Sequence, residues 1–274
     1  SPFANLGVID RRAHSAGCRE YRAGVKRDTR TAALLLALVV VPIATLLATP
    51  PPAPPPELTL IPSRGSRFPA SPLPFEATPI GPAPEHPALI TNVQIVDMDG
   101  DGASELLVCD AQAQRVFLYT PGPDGAFVER VLAEDLIGPA HATAVDLDQD
   151  GDTDILVSVL GNLRPDDDVI GSLVVLENEG GAFRQRVLLD GVRRVADAQP
   201  GDFDGDGDID IAVAVFGYAR GDVLWLENNG AGQFEPHVLL TAPGTIHVPV
   251  ADYDGDGDLD IATVTSQNEE EVWG

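Results

Sequence analysis

Positive charge, cysteine, methionine and aromatic side chains are all scarce in this 274-residue chain, and each scarcity excludes something. Seventeen Lys and Arg face 43 Asp and Glu, for a net charge of −26. The imbalance is uneven. Residues 1–49 hold seven basic side chains (Arg11, Arg12, Arg19, Arg22, Lys26, Arg27, Arg30) against Asp10, Glu20 and Asp28. Beyond them the surface is so acidic that it repels phosphate backbones, which excludes nucleic acid as a partner of the main domain and favours cations. Two cysteines, Cys18 and Cys109, cannot frame a disulfide scaffold, and Cys109 in Leu107-Val108-Cys109 reads as a small buried side chain. No G-x-S-x-G elbow, Cys/His pair, P-loop or zinc-ligand spacing occurs, so those nucleophilic, phosphate and zinc chemistries have no sequence support. The one methionine is Met98 and the chain starts at Ser1, which suggests a fragment of a longer protein.

What is plentiful is Gly (27) and Pro (24), a turn-rich level that suits many short strands better than long helices. The N-terminal third divides by composition. Residues 1–30 form a basic tail. Thr31–Thr49 follows as 19 residues without a charge, close to the span of a bilayer's hydrocarbon. Basic residues precede it and none follows at once, so the tail stays cytoplasmic and the rest is exported. Its length favours an uncleaved signal anchor, with a cleaved leader or a buried helix of a soluble protein, which would export nothing, as the alternatives; Leu46-Leu47-Ala48 lacks the small residue three positions before a cut. Residues 50–72 begin Pro50–Glu57 (PPPAPPPE), a semi-rigid polyproline II spacer. Residues 73–274 hold everything else.

There an acidic cluster recurs four times without gaps. The first is Asp97, Asp99, Asp101, Ala103 and Glu105, and the second Asp146, Asp148, Asp150, Asp152 and Asp154. The third is Asp202, Asp204, Asp206, Asp208 and Asp210, and the fourth Asp252, Asp254, Asp256, Asp258 and Asp260. All read D-x-D-x-D-G-x-x-[DE]. Acids at positions 1, 3 and 5 face one side of a tight turn, Gly at position 6 supplies a left-handed backbone, and position 7 offers its carbonyl. Such all-oxygen sets suit a hard cation: calcium first, with magnesium or manganese taking similar donors. The loop is not an EF-hand, because position 12 holds Val108, Val157, Val213 and Thr263 where a bidentate Glu is needed. Four carboxylates on one turn repel strongly without a cation, so four binding sites are expected here.

After each loop comes a strand-like run (Leu106–Cys109, Ile155–Val159, Ile211–Val215, Ile261–Val264). In three periods a second strand follows (Val116–Tyr119, Leu173–Asn178, Val223–Asn228), then a glycine turn and an aromatic-led strand at Phe127, Phe183 and Phe234. With the strand before each loop (Thr91–Val96, Ala142–Val145, Ala196–Gly201, Thr245–Ala251), about 50 residues, four strands and no helix describe a β-propeller blade. The expected fold is all-β, three and a half four-stranded blades of a propeller. Leu73–Gly81 is a candidate outer strand for the last blade.

These repeats resemble the FG-GAP-like or VCBS-type repeats, also found in the calcium-binding blades of integrin α-subunits. The Phe-Gly…Gly-Ala-Pro signature of the integrin type is not clear here, since Phe216-Gly217 follows a loop instead of preceding it. The resemblance implies a propeller of about seven blades with calcium at the blade edges, serving as an exported module that binds an extracellular protein or glycan. Some polysaccharide lyases and sugar dehydratases are built on similar propellers, which directs attention to the innermost strands. Five residues before each loop stand Asn92, His141, Asp197 and His247, and two further on Gln94, Thr143, Gln199 and Pro249. Alternation puts both positions on one face, where a water-filled channel would explain their polarity, or His141, His247 and Asp197 would serve as acid and base.

Overall fold

Each run of Val, Ile, Leu and Ala that follows an acidic loop is sandwiched in space as well as in sequence. In the computed structural model, which describes residues 4–9, 80–81, 87–164, 166–230 and 232–266, these runs are the second strands of four antiparallel sheets. No helix occurs among the described residues. Strand β1 (Ala4–Ile9) lies near the N-terminus. Then come β2 (Ile90–Val96), β3 (Glu105–Asp110), β4 (Arg115–Pro121) and β5 (Phe127–Ala133), paired in that order as the first sheet. The second is β6 (Pro139–Val145), β7 (Asp154–Val159), β8 (Gly171–Glu179) and β9 (Ala182–Val192). The third is β10 (Arg194–Gly201), β11 (Asp210–Phe216), β12 (Asp222–Asn228) and β13 (Phe234–Thr241). The fourth joins β14 (Thr245–His247), β15 (Val250–Ala251), β16 (Asp260–Ser266) and β1. The architecture is a β-propeller of four-stranded blades, as the repeat predicts.

The second strands read as continuous hydrophobic runs because both their faces are covered; all six residues of β7 are buried. The cores lie between blades rather than within them. One joins Leu107, Cys109 and Val116 of the first sheet to Ala142, Ile155 and Val157 of the second. Another joins Leu156, Leu173 and Val175 to Val195, Ile211 and Val213. A third joins Ala212, Ala214 and Val223 to Val248 and Ile261. Cys109 has no exposed surface, and burial pushes its thiol up to about 12, so it is an inert core side chain.

The fourth blade differs from expectation in two ways. Its inner strand is split into β14 and β15 at Val248-Pro249, where proline has no N–H to give the ladder. Its outer partner is β1, antiparallel to β16 with Ala4 opposite Ser266 and Ile9 opposite Ile261. Residues 1–30 were expected to be a tail, and the strand within them is a correction. Pairing across more than 250 residues leaves no periodic trace in either segment. Of the alternative outer strand Leu73–Gly81, only Ile80 and Gly81 lie among the described residues, and so does none of Thr31–Thr49. Among the described residues no helix is long and apolar enough to cross a membrane.

Candidate metal loops and an inner-strand His-Asp cluster

The four acidic loops join the inner to the second strand of each blade and repeat one hydrogen-bond pattern. The position-1 carboxylate accepts from the position-6 Gly N–H: Gly102 to Asp97, Gly151 to Asp146, Gly207 to Asp202 and Gly257 to Asp252, at 3.0–3.2 Å. Position 3 accepts from the N–H of position 5, and position 5 from that of position 7 (Asp152 N to Asp150 Oδ1, 2.9 Å, in the second loop). Position 6 is left-handed throughout, with φ of 86° to 98°, as its invariant glycine requires. These bonds fix the turn and crowd the acids. Carboxylate oxygens lie within 4.8 Å of one another in Asp97/Asp99/Asp101, Asp146/Asp148/Asp154, Asp202/Asp204/Asp206 and Asp252/Asp254/Asp260. At ~4 Å and an effective dielectric of ~20, each ionised pair repels by ~4 kcal/mol.

The donor set fits a hard cation on a further ground. Asp146 Oδ1 is buried without a hydrogen-bond partner among the described residues, an oxygen that a cation would satisfy. Burial also pushes the Asp154 and Asp210 carboxyls above the ordinary range, against the pull of backbone N–H groups, and Asp204 shifts the same way by desolvation. A positive neighbour would offset that desolvation.

Positions 7 and 9 do more than the sequence suggests. The position-9 acid is a brace at the base of the loop: Glu105, Asp154, Asp210 and Asp260 are 0–4% exposed and accept from the position-2 N–H at 2.9–3.1 Å. Asp154 and Asp210 also accept from the N–H of Asn178 and Asn228, whose amides bond back to Thr153 and Ile209 carbonyls. Those asparagines were missed by sequence reading, although Glu-Asn stands at the same place in β8 and β12. The first blade has Pro121 there, which has no N–H. The Asp152 side chain turns away to accept from Gly180 N in the β8–β9 turn. Asp208 faces Gly230 similarly, where a Cβ would lie 2.7 Å from its Oδ2.

The inner-strand polar residues do gather, but they chiefly hold blades together. A β-bulge interrupts each inner strand just before Asn92, His141, Asp197 and His247 and re-aims the side chain. Asn92 and Gln94 accept from Ala142 N and Ala144 N of the second blade. Thr143 donates to Ala198 O of the third. Asp197, 1% exposed, accepts from Val248 N of the fourth at 3.0 Å and from Gln199 Nε2 at 2.8 Å. His141 Nδ1 lies 3.2 Å from Asp197 Oδ1, and His247 Nδ1 contacts Oδ2. The rings are 6.3 Å apart, edge to face. Burial lowers the His141 pKa below 6.5, and the Asp197 hydrogen bond raises that of His247. Burial alone would raise Asp197, but the bonds from His247 and Val248 hold it below the ordinary range. One ionised carboxylate thus orients two imidazoles from neighbouring blades.

Two further features join blades at the loop side. Arg130 reaches the Gly181 carbonyl of the next blade and lies over Phe183, 5.5 Å from its centroid. Arg186 donates to Gly232 O at 3.1 Å and pairs with Glu177. In the second loop, position 4 is Gln149 where the others have glycine. Its φ is 61°, and its Nε2 donates to Gly207 O of the third loop at 2.7 Å.

The family description FG-GAP-like repeat matches residues 97–157 and 202–263. Each stretch runs from the first aspartate of one loop into the strand after the next, so all four loops are covered. No curated protein matches the chain at a significant level.

Proposed function

Because this chain carries FG-GAP-like repeats, we propose that it is an exported, calcium-stabilised β-propeller module that binds an extracellular protein or glycan. The observation that carries the calcium part is the convergence of carboxylates in all four loops, with Asp146 Oδ1 buried and unpartnered. Calcium would be held by the acids at positions 1, 3 and 5, joined by Asp154 and Asp260 where these close on the group. Bound there, it supplies positive charge and oxygen coordination. The loop itself contributes the backbone cage that keeps the acids oriented, and the position-9 brace transmits the order to the second strand. A membrane span at Thr31–Thr49 would leave β1 and β16 on opposite sides of a bilayer, so the β1–β16 pairing goes with export of residues 4–266 together and with no span between the two strands.

The test is calorimetric titration with calcium, with melting curves in EDTA alongside. About four sites are expected, and Asp148→Ala or Asp204→Ala removes one. At 100-fold excess over Kd, each site stabilises by about 2.7 kcal/mol. An unchanged melting curve with and without chelator overturns the calcium reading.

A second reading, a carbohydrate-active enzyme with its site on the inner strands, draws on the His141–Asp197–His247 cluster. Asp197 holds Nδ1 of His247, whose side chain is 47% exposed, and this leaves Nε2 to move a proton. Incubation with a panel of acidic polysaccharides, followed by the absorbance of unsaturated products, tests it. A blank panel removes the lyase form of this reading.

A further inference from the structure

We infer that Gln149 couples ion binding in the second loop to ion binding in the third, an inference that rests on the calcium reading above. Position 4 of the loop is glycine in the first, third and fourth copies, with φ of 72° to 78°, and glutamine in the second at φ 61°. A long side chain in the left-handed region is unfavourable locally and persists where the surroundings hold it. Here the hold is its 2.7 Å hydrogen bond to Gly207 O, 58 residues on in the neighbouring blade.

The bond lands on a particular peptide unit. The Gly207–Asp208 peptide offers its carbonyl to Gln149 and its N–H to Asp206 Oδ1, the position-5 acid of the third loop, at 2.9 Å. On the other side, Gln149 lies between Asp148 and Asp150, whose N–H bonds Asp148 Oδ1 at 3.2 Å. Acids of both loops are thus connected through one side chain and one peptide plane. A cleft of about 90 Å³ runs beneath, lined by Asp148, Gln149 and Asp154 of one loop and by Asp208 of the other. An ion in the third loop fixes Asp206 and with it the peptide that Gln149 grips. The second loop then has less ordering left to do, so its affinity rises, and by reciprocity the converse holds.

The experiment titrates the full chain with CaCl2 and follows the amide resonances of Gly151 and Gly207 by NMR as separate reporters of the two loops. Four proteins are compared: unaltered, Asp204→Asn, Gln149→Gly, and the double variant. Gly accepts the positive φ, so Gln149→Gly removes the bridge without adding strain; Gln149→Asn, which also tolerates it but is a methylene shorter, is the second bridge-breaking variant. Far-UV circular dichroism confirms the fold of each. With the bridge present, Asp204→Asn should raise the calcium midpoint at Gly151 by about fivefold. With the bridge removed, it should leave that midpoint in place. The same shift in both backgrounds, or none in either, overturns the coupling while leaving calcium binding intact. Amides that ignore calcium altogether would overturn the calcium reading and the coupling with it.

Discussion

Asp197 is a charge with almost no surface of its own, and the residues around it set its pH behaviour. His247 faces it from the fourth blade, His141 from the second, with Gln199 beside it on β10. Because Asp197 raises the His247 pKa, folding favours the imidazolium. The stability this brings is complete below about pH 6.5 and fades as pH climbs through the raised folded value. His141 works in the opposite sense: burial lowers its pKa, so protonating it costs stability as pH falls below 6.5. His247→Gln should therefore lower Tm most near about pH 6 and least near about pH 9. A thermal-melt series showing the same deficit at every pH would contradict this origin. A second prediction concerns the base of the loops. Asp210→Ala, outside the group of carboxylates that converge in its loop, strips acceptors from Phe203 N and Asn228 N at a position with no exposed surface. Urea unfolding in EDTA, where no ion contributes, should show a loss of about 3 kcal/mol.

The elements follow one plan, and departures from it are informative. Arg130 and Arg186 occupy matching places in β5 and β9, and each reaches the turn of the next blade. In β13 the place belongs to His237, which turns inward to Glu227 and stacks on Trp225, 4.9 Å between centroids. Alanine at either arginine should cost about 1 kcal/mol in chemical denaturation, and the double variant about the sum, because the interfaces are separate. Much of this plan was legible beforehand. Gly and Asp at fixed offsets constrain the backbone locally, so the loops and the strands that follow Glu105, Asp154, Asp210 and Asp260 could be placed from spacing alone. The bulge before His141 and the crossing of Asn92, Gln94 and Thr143 into the next blade could not. Alternation says which face a side chain shares, but whether that face meets water or a neighbouring strand depends on how blades pack. The brace formed by Asn178 and Asn228 was visible as a repeated Glu-Asn, yet its role depends on a carboxylate that approaches only in three dimensions.

At the scale of the whole molecule, the joining of β1 to β16 matters most. Six residue pairs cover one edge of β16. Deleting residues 1–9 would leave β16 paired with β14 and β15 on one side and bare on the other, an open edge with Ile261, Ala262 and Val264 in its sequence. The truncated chain should melt roughly 5–10 °C lower and self-associate, as light scattering would register. An unchanged melting point and a monodisperse sample would show that β1 adds nothing to the last blade. The pairing also sets an order of events in time. Blades one to three can be assembled from stretches of about 50 residues as each leaves the ribosome, whereas the fourth must wait until Ser266 has been made and can meet a segment far upstream of it in the chain. Until then β1 has no partner, and the last blade lacks its outer strand.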